Sequence, residues 1–325
     1  MNEITKDLLE RISDFKGSFD GAYNLRVDGA CAGRQSSENI RIDSKTDNPG
    51  LEIHIRPGTK GERVSIPACV THGDVNDLVY NDFFVGAGAD VTIVAGCGVH
   101  TETGEPARHN GIHRFFLEEG AHVLYLEKHI GTGKGEGLRS IDPVTEATLE
   151  KDAVLTMDTA QIGGVDRTVR TTSAVLGENA KLIIRERIFT SGEQFAETNF
   201  RVALNGAGSG ADVVSRSVAR EHSRQNYISV VEGNAPCTGH TECDAIIDGG
   251  ARVDASPKLS ANHPDAALIH EAAIGKIAGE QILKLRTLGL TEQEAEEKII
   301  QGLVLSRVMR KYNSVTYEVG KAKAE

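Results

Sequence analysis

Between about residue 40 and residue 260, short runs of β-branched and aliphatic residues alternate with Gly, Asn and Asp, as in Val91-Thr92-Ile93-Val94, Val123-Leu124-Tyr125-Leu126 and Leu182-Ile183-Ile184. Runs of this kind, punctuated by turn residues, predict strands. A loose repeat accompanies them: a turn residue, then Ala, any residue, and Val or Leu. It is faint at Ala89-Asp90 and clearer at Gly120-Ala121, Asp152-Ala153, Asn179-Ala180, Gly210-Ala211 and Gly250-Ala251, with starts roughly 27 to 40 residues apart. Self-similarity on that scale predicts stacked units, each burying its apolar face against the next. A small Ala suits a strand entering a tight corner, where a larger side chain would meet the coil above. The competing arrangement is a β-sandwich whose hairpins share turn chemistry.

Helical periodicity replaces this pattern at both ends. Near the N-terminus Leu8, Leu9, Ile12 and Phe15 recur at helical spacing among charges, which predicts a short amphipathic helix in a lead-in of residues 1–35. The strand-rich stretch is assigned to residues 36–272, and residues 273–325 read as helical. There Ile277, Ile282, Leu285 and Leu288 follow a 3.6-residue period, and Gly289 sits where a left-handed cap needs no Cβ. Thr291 and Glu294 have capping-box spacing, and Ala295, Ile299, Ile300, Leu303 and Leu305 continue an apolar face, so the two helices are expected as an antiparallel hairpin. Beyond it, Tyr312, Val315, Tyr317 and Val319 alternate in a polar tail, a pattern compatible with one more strand.

Composition narrows the function classes. Against 36 Lys and Arg stand 47 Asp and Glu, a net charge of −11, which argues against a sequence-independent grip on nucleic acid. The start lacks the continuous apolar core of a signal peptide, and no run approaches the roughly 18 apolar residues that a membrane helix needs. The expectation is a soluble, cytoplasmic protein. Five cysteines in 325 residues, an odd and sparse set, are expected as thiols. The absence of Trp and the 35 glycines fit thin, regularly stacked strands joined by tight turns.

Candidate chemistry falls into two clusters. In the first, Cys237, His240, Glu242, Cys243 and Asp244 are followed by His263, Asp265, His270 and Glu271. Thiolate, imidazole and carboxylate are the side chains that hold iron, and the spacing is unlike that of a closed structural zinc site, so an open or transient site is the better fit. Strand alternation puts His240 and Glu242 on one face and Thr241 and Cys243 on the other. The second cluster is Cys97, His100, His109 and His113, whose Cys-x2-His and His-x3-His spacings resemble a zinc-ligand pattern in a glycine-flanked loop. Polar residues gathered there by chance are the alternative. No phosphate-binding loop, nucleophile elbow or zinc-protease helix is present, and Gly131 to Gly137 reads as a flexible loop.

The stretch Gly239-His240-Thr241-Glu242-Cys243-Asp244, with Ala251-Arg252-Val253, Pro257, Ala261 to Ala266, Leu268 to Ala272, Gly275 to Ile277, Glu280 to Ile282, Leu285-Arg286 and Gly289 to Ala295, resembles the C-terminal core of SufB/SufD proteins. Weaker similarities at Asn81 to Phe83, Gly120-Ala121, Thr198 to Phe200 and Val214 to Arg216 extend it over about residues 35 to 305. The resemblance implies a right-handed parallel β-helix with a C-terminal helical hairpin that docks on a SufC-like ABC ATPase. It also implies pairing of two β-helices, as a homodimer or a SufB/SufD-type heterodimer, around a transient iron–sulfur cluster, with a sulfur donor and apo-protein acceptors as further partners. By position it implies that Cys243, His270 and Glu271 receive sulfur or iron and that Ile277, Ile282, Leu285 and Leu288 belong to the docking region. Ile269 departs from the family, in which SufB has an acidic residue before the histidine. The long N-terminal region and several internal cysteines of SufB are also absent. The competing functions are a metal-binding regulatory or storage module built on Cys97, His100, His109 and His113, with His240 a further ligand candidate, and a carbohydrate-active enzyme on a β-helix. The missing Trp platforms count against the latter.

Overall fold

The structure, a computed structural model, describes residues 1–13 and 15–304. Its strands, from Ala22–Val27 to Ala266–Gly275, wind into a parallel β-helix whose walls are two ten-stranded sheets. Consecutive strands alternate between walls: Asp90–His100 lies in the first, Ala107–Leu117 in the second and His122–Thr132 in the first again. Only the N-terminal edges contain antiparallel pairs, Ala22–Val27 with Ala30–Gln35 and Ile40–Ser44 with Gly50–Ile55. Elsewhere coils stack in register, so that Val154, Lys181, Gly210 and Thr238 form one column. The stacked β-helix replaces the β-sandwich alternative.

One corner explains the sequence repeat. Gly88, Gly120, Asp152, Asn179 and Gly208 have left-handed backbones, with φ of 63°, 65°, 56°, 55° and 72°. Gly, Asn and Asp enter that region at least cost, which is why turn residues mark each coil. The backbone ladder continues through the bend, because the N–H of Gly120 donates to Lys151 O at 2.9 Å and that of Asp152 to Glu178 O at 2.8 Å. The next residue, Ala89, Ala121, Ala153 or Ala180, is fully buried against its neighbours above and below. Two expected members of the repeat are misplaced. Ser209 occupies the next corner, two positions before Ala211, while Ala251 leads into a strand of the opposite wall. Ser is nearly as small as Ala and fills the same space, so matching Ala to Ala slips the register.

Gly133 to Gly137 also differ from the expected flexible loop. Their backbone stacks on the preceding coil, with Gly135 N–H donating to Thr101 O at 3.0 Å and Gly137 N–H to Thr103 O at 2.9 Å. A Cβ on Gly137 would lie 1.9 Å from Glu105 O, so the glycines permit close stacking.

The helices form where periodicity predicts them. Glu3–Ser13 buries Leu8, Leu9 and Ile12 on the outside of the first wall, over Gly96 and Gly98, whose lack of side chains admits it. The C-terminal helices are Gly279–Thr287 and Glu292–Val304. Gly289 adopts φ 94°, and Thr291 and Glu294 form the reciprocal cap, with Thr291 N–H to Glu294 Oε2 at 2.8 Å and Glu294 N–H to Thr291 Oγ1 at 3.2 Å. The last strand continues to Gly275, so Ile277 precedes the helix instead of joining its face. The expected alternation from Tyr312 to Val319, and Leu305, lie outside the described residues.

At the corner, Ala153→Leu is expected to destabilise the chain by about 1–3 kcal/mol through overpacking, whereas Asn179→Gly, which keeps the left-handed turn, leaves stability nearly unchanged. Urea denaturation of both variants checks this, and equal midpoints for wild type and Ala153→Leu would contradict it.

Candidate functional site

The strand Cys237–Ile247 alternates cleanly, with Thr241 and Cys243 pointing into the β-helix and His240, Glu242 and Asp244 pointing out. Its parallel neighbour Ala266–Gly275 sets His270 beside Thr241 and Glu271 beside Glu242. The three residues implied by resemblance are therefore divided by the sheet. Cys243 and His270 lie on the inner side and Glu271 on the outer.

Cys243 is 2% exposed, and burial, followed by the carboxylates of Glu186 and Asp244, pushes its thiol up to about 12. At neutral pH it is a protonated thiol with little nucleophilic character. His270 Nδ1 lies 2.7 Å from Thr241 Oγ1, its ring stacks near Tyr227 at a centroid distance of 6.5 Å, and its buried Nε2 has no hydrogen-bond partner. Burial and then His240 lower its pKa. The inner face thus presents a neutral imidazole with one ring nitrogen uncommitted, on the strand next to a protected thiol.

A directed chain of hydrogen bonds runs through the interior toward that thiol. Asn81 Nδ2 donates to His113 Nε2 at 3.2 Å, His113 Nδ1 donates to Tyr125 Oη at 2.8 Å, and the tyrosine hydroxyl donates to Glu127 Oε1 at 2.8 Å. Arg170 bridges onward, with Nη1 2.7 Å from Glu127 Oε2 and Nε 3.3 Å from Glu186 Oε1. Ser215 then donates to Glu186 Oε2 at 2.7 Å, and Cys243 occupies the next place in the Ser215 column. Burial favours neutral Glu127, but Arg170, His129 and His113 together hold its carboxyl well below the usual range. Glu186, for which burial outweighs Arg170, is shifted up. Glu127, Arg170 and Glu186 did not stand out in the sequence, because a buried Glu or Arg has no local signature until its coil is stacked on the next.

On the outer face His240 Nδ1 lies 2.9 Å from Asp212 Oδ1 and Nε2 lies 3.5 Å from Glu271 Oε2. One ligand atom each from His240, Glu242 and Glu271 falls within 4.8 Å of the others.

The second cluster does not assemble as its spacing suggests. His109 and His113 lie on the strand Ala107–Leu117, not in a loop, and both point inward. His109 Nδ1 is committed to Asp77 Oδ2 at 3.0 Å and His113 to Tyr125 and Asn81. Cys97 shares a cavity of about 200 Å³ with both histidines, and burial raises its thiol pKa well above the usual range. His100 sits apart, bonded to Thr132 Oγ1 at 2.8 Å. Among the described residues three or more potential ligands converge at His240, Glu242 and Glu271 and not at Cys97, His100, His109 and His113. The zinc-like spacing reflects two inward positions on one strand, and the module built on those four residues has no common coordination point.

Fold and site define a parallel β-helix with a protected thiol and a neutral imidazole on the inner face of its last coils, and a helical pair beside them. The family described as "SUF system FeS cluster assembly, SufBD core domain" matches residues 79–303, and the chain belongs to that family. A curated relative from Methanothermobacter thermautotrophicus, named an iron–sulfur cluster assembly SufBD family protein, is 28% identical over 265 residues, which are 78% of this chain and 62% of the relative. The chain thus spans less than two thirds of that relative's length. SufBD family proteins from Archaeoglobus fulgidus and Methanocaldococcus jannaschii are 27% and 25% identical, over 83% of this chain in each case and 72% and 86% of the relatives. No helix among the described residues is long and apolar enough to cross a membrane.

Burial lowers the pKa of His113 from 6.5 to about 4 and lowers that of His129 as well, so between those limits the unfolded chain binds protons that the folded chain refuses. Stability contributed by His113 is therefore lost as pH falls from about 6.5 to about 4. His113→Gln, which cannot titrate, is expected to flatten this part of the stability profile in urea melts between pH 7 and pH 5 (about one to two pH units, the span over which a histidine titrates). An unchanged slope would contradict neutral burial.

Proposed function

We propose that the chain is a non-enzymatic scaffold that builds and transfers nascent iron–sulfur clusters together with a SufC-like ABC ATPase, which would hydrolyse the ATP. The observation that carries this reading is Cys243, a thiol pushed up to about 12 inside the last coils, with a histidine of unpartnered buried Nε2 on the same face of the neighbouring strand, two positions along. A structural cysteine needs no such neighbour, and a sulfur-accepting one must be kept from adventitious oxidation until it is used. Family membership supports the role in cluster assembly.

The partner would grip the C-terminal helices. Leu283 and Leu288 are 61% and 76% exposed there, while Ile277, Ile282 and Leu285 are half-buried. Strands Arg252–Ala261 and Ala266–Gly275 end the two walls and leave Leu259, Ile269 and Ile274 exposed, a surface suited to a second β-helix in a homodimer or a pair with a SufB/SufD-type paralogue. ATP-driven movement of the helices would loosen the last coils and bring Cys243 to water and cations, where thiolate forms more readily. The Cys243 thiolate would then attack the outer sulfur of a donor protein's persulfide and carry that sulfur as its own persulfide, while the donor leaves as a thiolate. Two electrons per sulfur from a reductant would convert it to sulfide, His270 on the same inner face would hold iron, and the cluster would pass to apo-proteins. The cytoplasm is the compartment such partners imply.

Anaerobic co-expression with the ATPase, followed by iron and sulfide analysis and visible spectroscopy, tests this. Wild type is expected to co-purify with the ATPase and carry iron–sulfur absorption that Cys243→Ala abolishes and His270→Ala reduces at least about tenfold, since even the loss of a group that only supports a metal ligand costs that much. Normal assembly in both variants would overturn the reading.

A further inference from the structure

The outer face of the last three strands of the first wall carries a second group of converging side chains, separated from Cys243 by the sheet itself. In-register pairing sets Asp212 beside His240 and Glu242 beside Glu271. This places an imidazole and two carboxylates around one point, with a ligand atom of each within 4.8 Å of the others. Their arrangement has a feature that surface ion pairs lack. His240 Nδ1 is bonded to Asp212 Oδ1 at 2.9 Å, and Asp212 is itself held by Arg185 through its other oxygen. A carboxylate on Nδ1 fixes the ring orientation and leaves Nε2 on the side of the two glutamates, the relation found behind metal-binding histidines. Nε2 lies 3.5 Å from Glu271 Oε2, too long for a good hydrogen bond and suited to two ligands of one ion.

Charge points the same way. Asp212, Glu242, Asp244 and Glu271 face two guanidiniums, those of Arg185 and Arg216, and one imidazole, so the patch stays net negative even with His240 protonated. Arg216 holds Glu242 Oε1 at 3.2 Å and so competes for one ligand. We propose that His240, Glu242 and Glu271 form a labile binding site for a divalent first-row transition-metal cation, with Asp212 as the positioning residue behind His240. One nitrogen and two carboxylate oxygens suit Fe²⁺, Mn²⁺, Co²⁺ or Zn²⁺ more than a soft cation or a hard one with only oxygen ligands. Glu271, whose side chain is 67% exposed, leaves coordination positions open to water, as a site that exchanges its ion requires, while Glu242 is 19% exposed and anchors the inner side.

This inference does not rest on cluster assembly, since it concerns the isolated chain and a bare cation. Chelator-treated full-length protein is titrated with Co²⁺ and followed by visible absorption and calorimetry. One Co²⁺ is expected per chain, with a spectrum of nitrogen and oxygen ligation and no thiolate charge-transfer band. His240→Ala and Glu242→Gln are expected to weaken binding at least about tenfold, and Asp212→Asn about 10- to 100-fold, by releasing the ring. Cys243→Ala leaves affinity unchanged, and Arg216→Ala, which frees Glu242, maintains or tightens it. Circular dichroism melts identify any variant that fails to fold. Binding that survives His240→Ala in a folded protein, or that vanishes in Cys243→Ala, would overturn the proposal whatever the outcome of the assembly experiment.

Discussion

The ladder of parallel backbone hydrogen bonds that passes from coil to coil, and continues through the corner at Gly88, Gly120, Asp152, Asn179 and Gly208, is the interaction on which the rest depends. Because each coil repeats the phase of its neighbour, an inward residue in one coil lies above an inward residue in the next. The left-handed residues at Gly120, Asp152 and Asn179 keep that phase, and the small residues that follow let the coils close to contact distance. A slip by one residue would exchange the inner and outer faces throughout a coil. It would carry Cys243 out of the interior and His240 into it.

This registration allows charge to be stored where an ordinary core would exclude it. Glu127, Arg170 and Glu186 are each almost fully buried, yet each meets its partners on adjacent columns, and Tyr125, Ser215 and Thr198 satisfy the remaining oxygens. Removal of Arg170 would leave two uncompensated carboxyls, which costs far more than the pair contributes by existing. The same polar lining reaches Cys243, so the thiol is surrounded by carboxylate and hydroxyl groups instead of hydrocarbon alone. Its high pKa follows from both burial and the negative Glu186.

Much of this was legible before the fold. Turn chemistry and small corner residues announced stacked coils, and strand parity correctly separated His240 and Glu242 from Thr241 and Cys243. The Gly289 cap and the Thr291–Glu294 capping box were readable because such signals are local. What failed was information carried between coils. Ala211 and Ala251 matched the repeat by letter but not by register, and His109 and His113 matched metal spacing while their nitrogens were already engaged by Asp77, Tyr125 and Asn81. Glu271 adjoined His270 in sequence but alternation sent it to the opposite face, where it meets two residues of the preceding coil, His240 and Glu242.

Differential alkylation measures directly whether Cys243 is the protected thiol that the proposed ATPase partner releases during its nucleotide cycle. The isolated chain is treated with iodoacetamide and modification of Cys243 is read by mass spectrometry, then the same is done with the ATPase present, with and without a non-hydrolysable ATP analogue. Cys243 should resist labelling in the isolated chain, while exposed Cys31 reacts, and become labelled when the nucleotide-bound partner is present. Equal labelling of Cys243 in the isolated chain and in the nucleotide-bound complex would contradict the account.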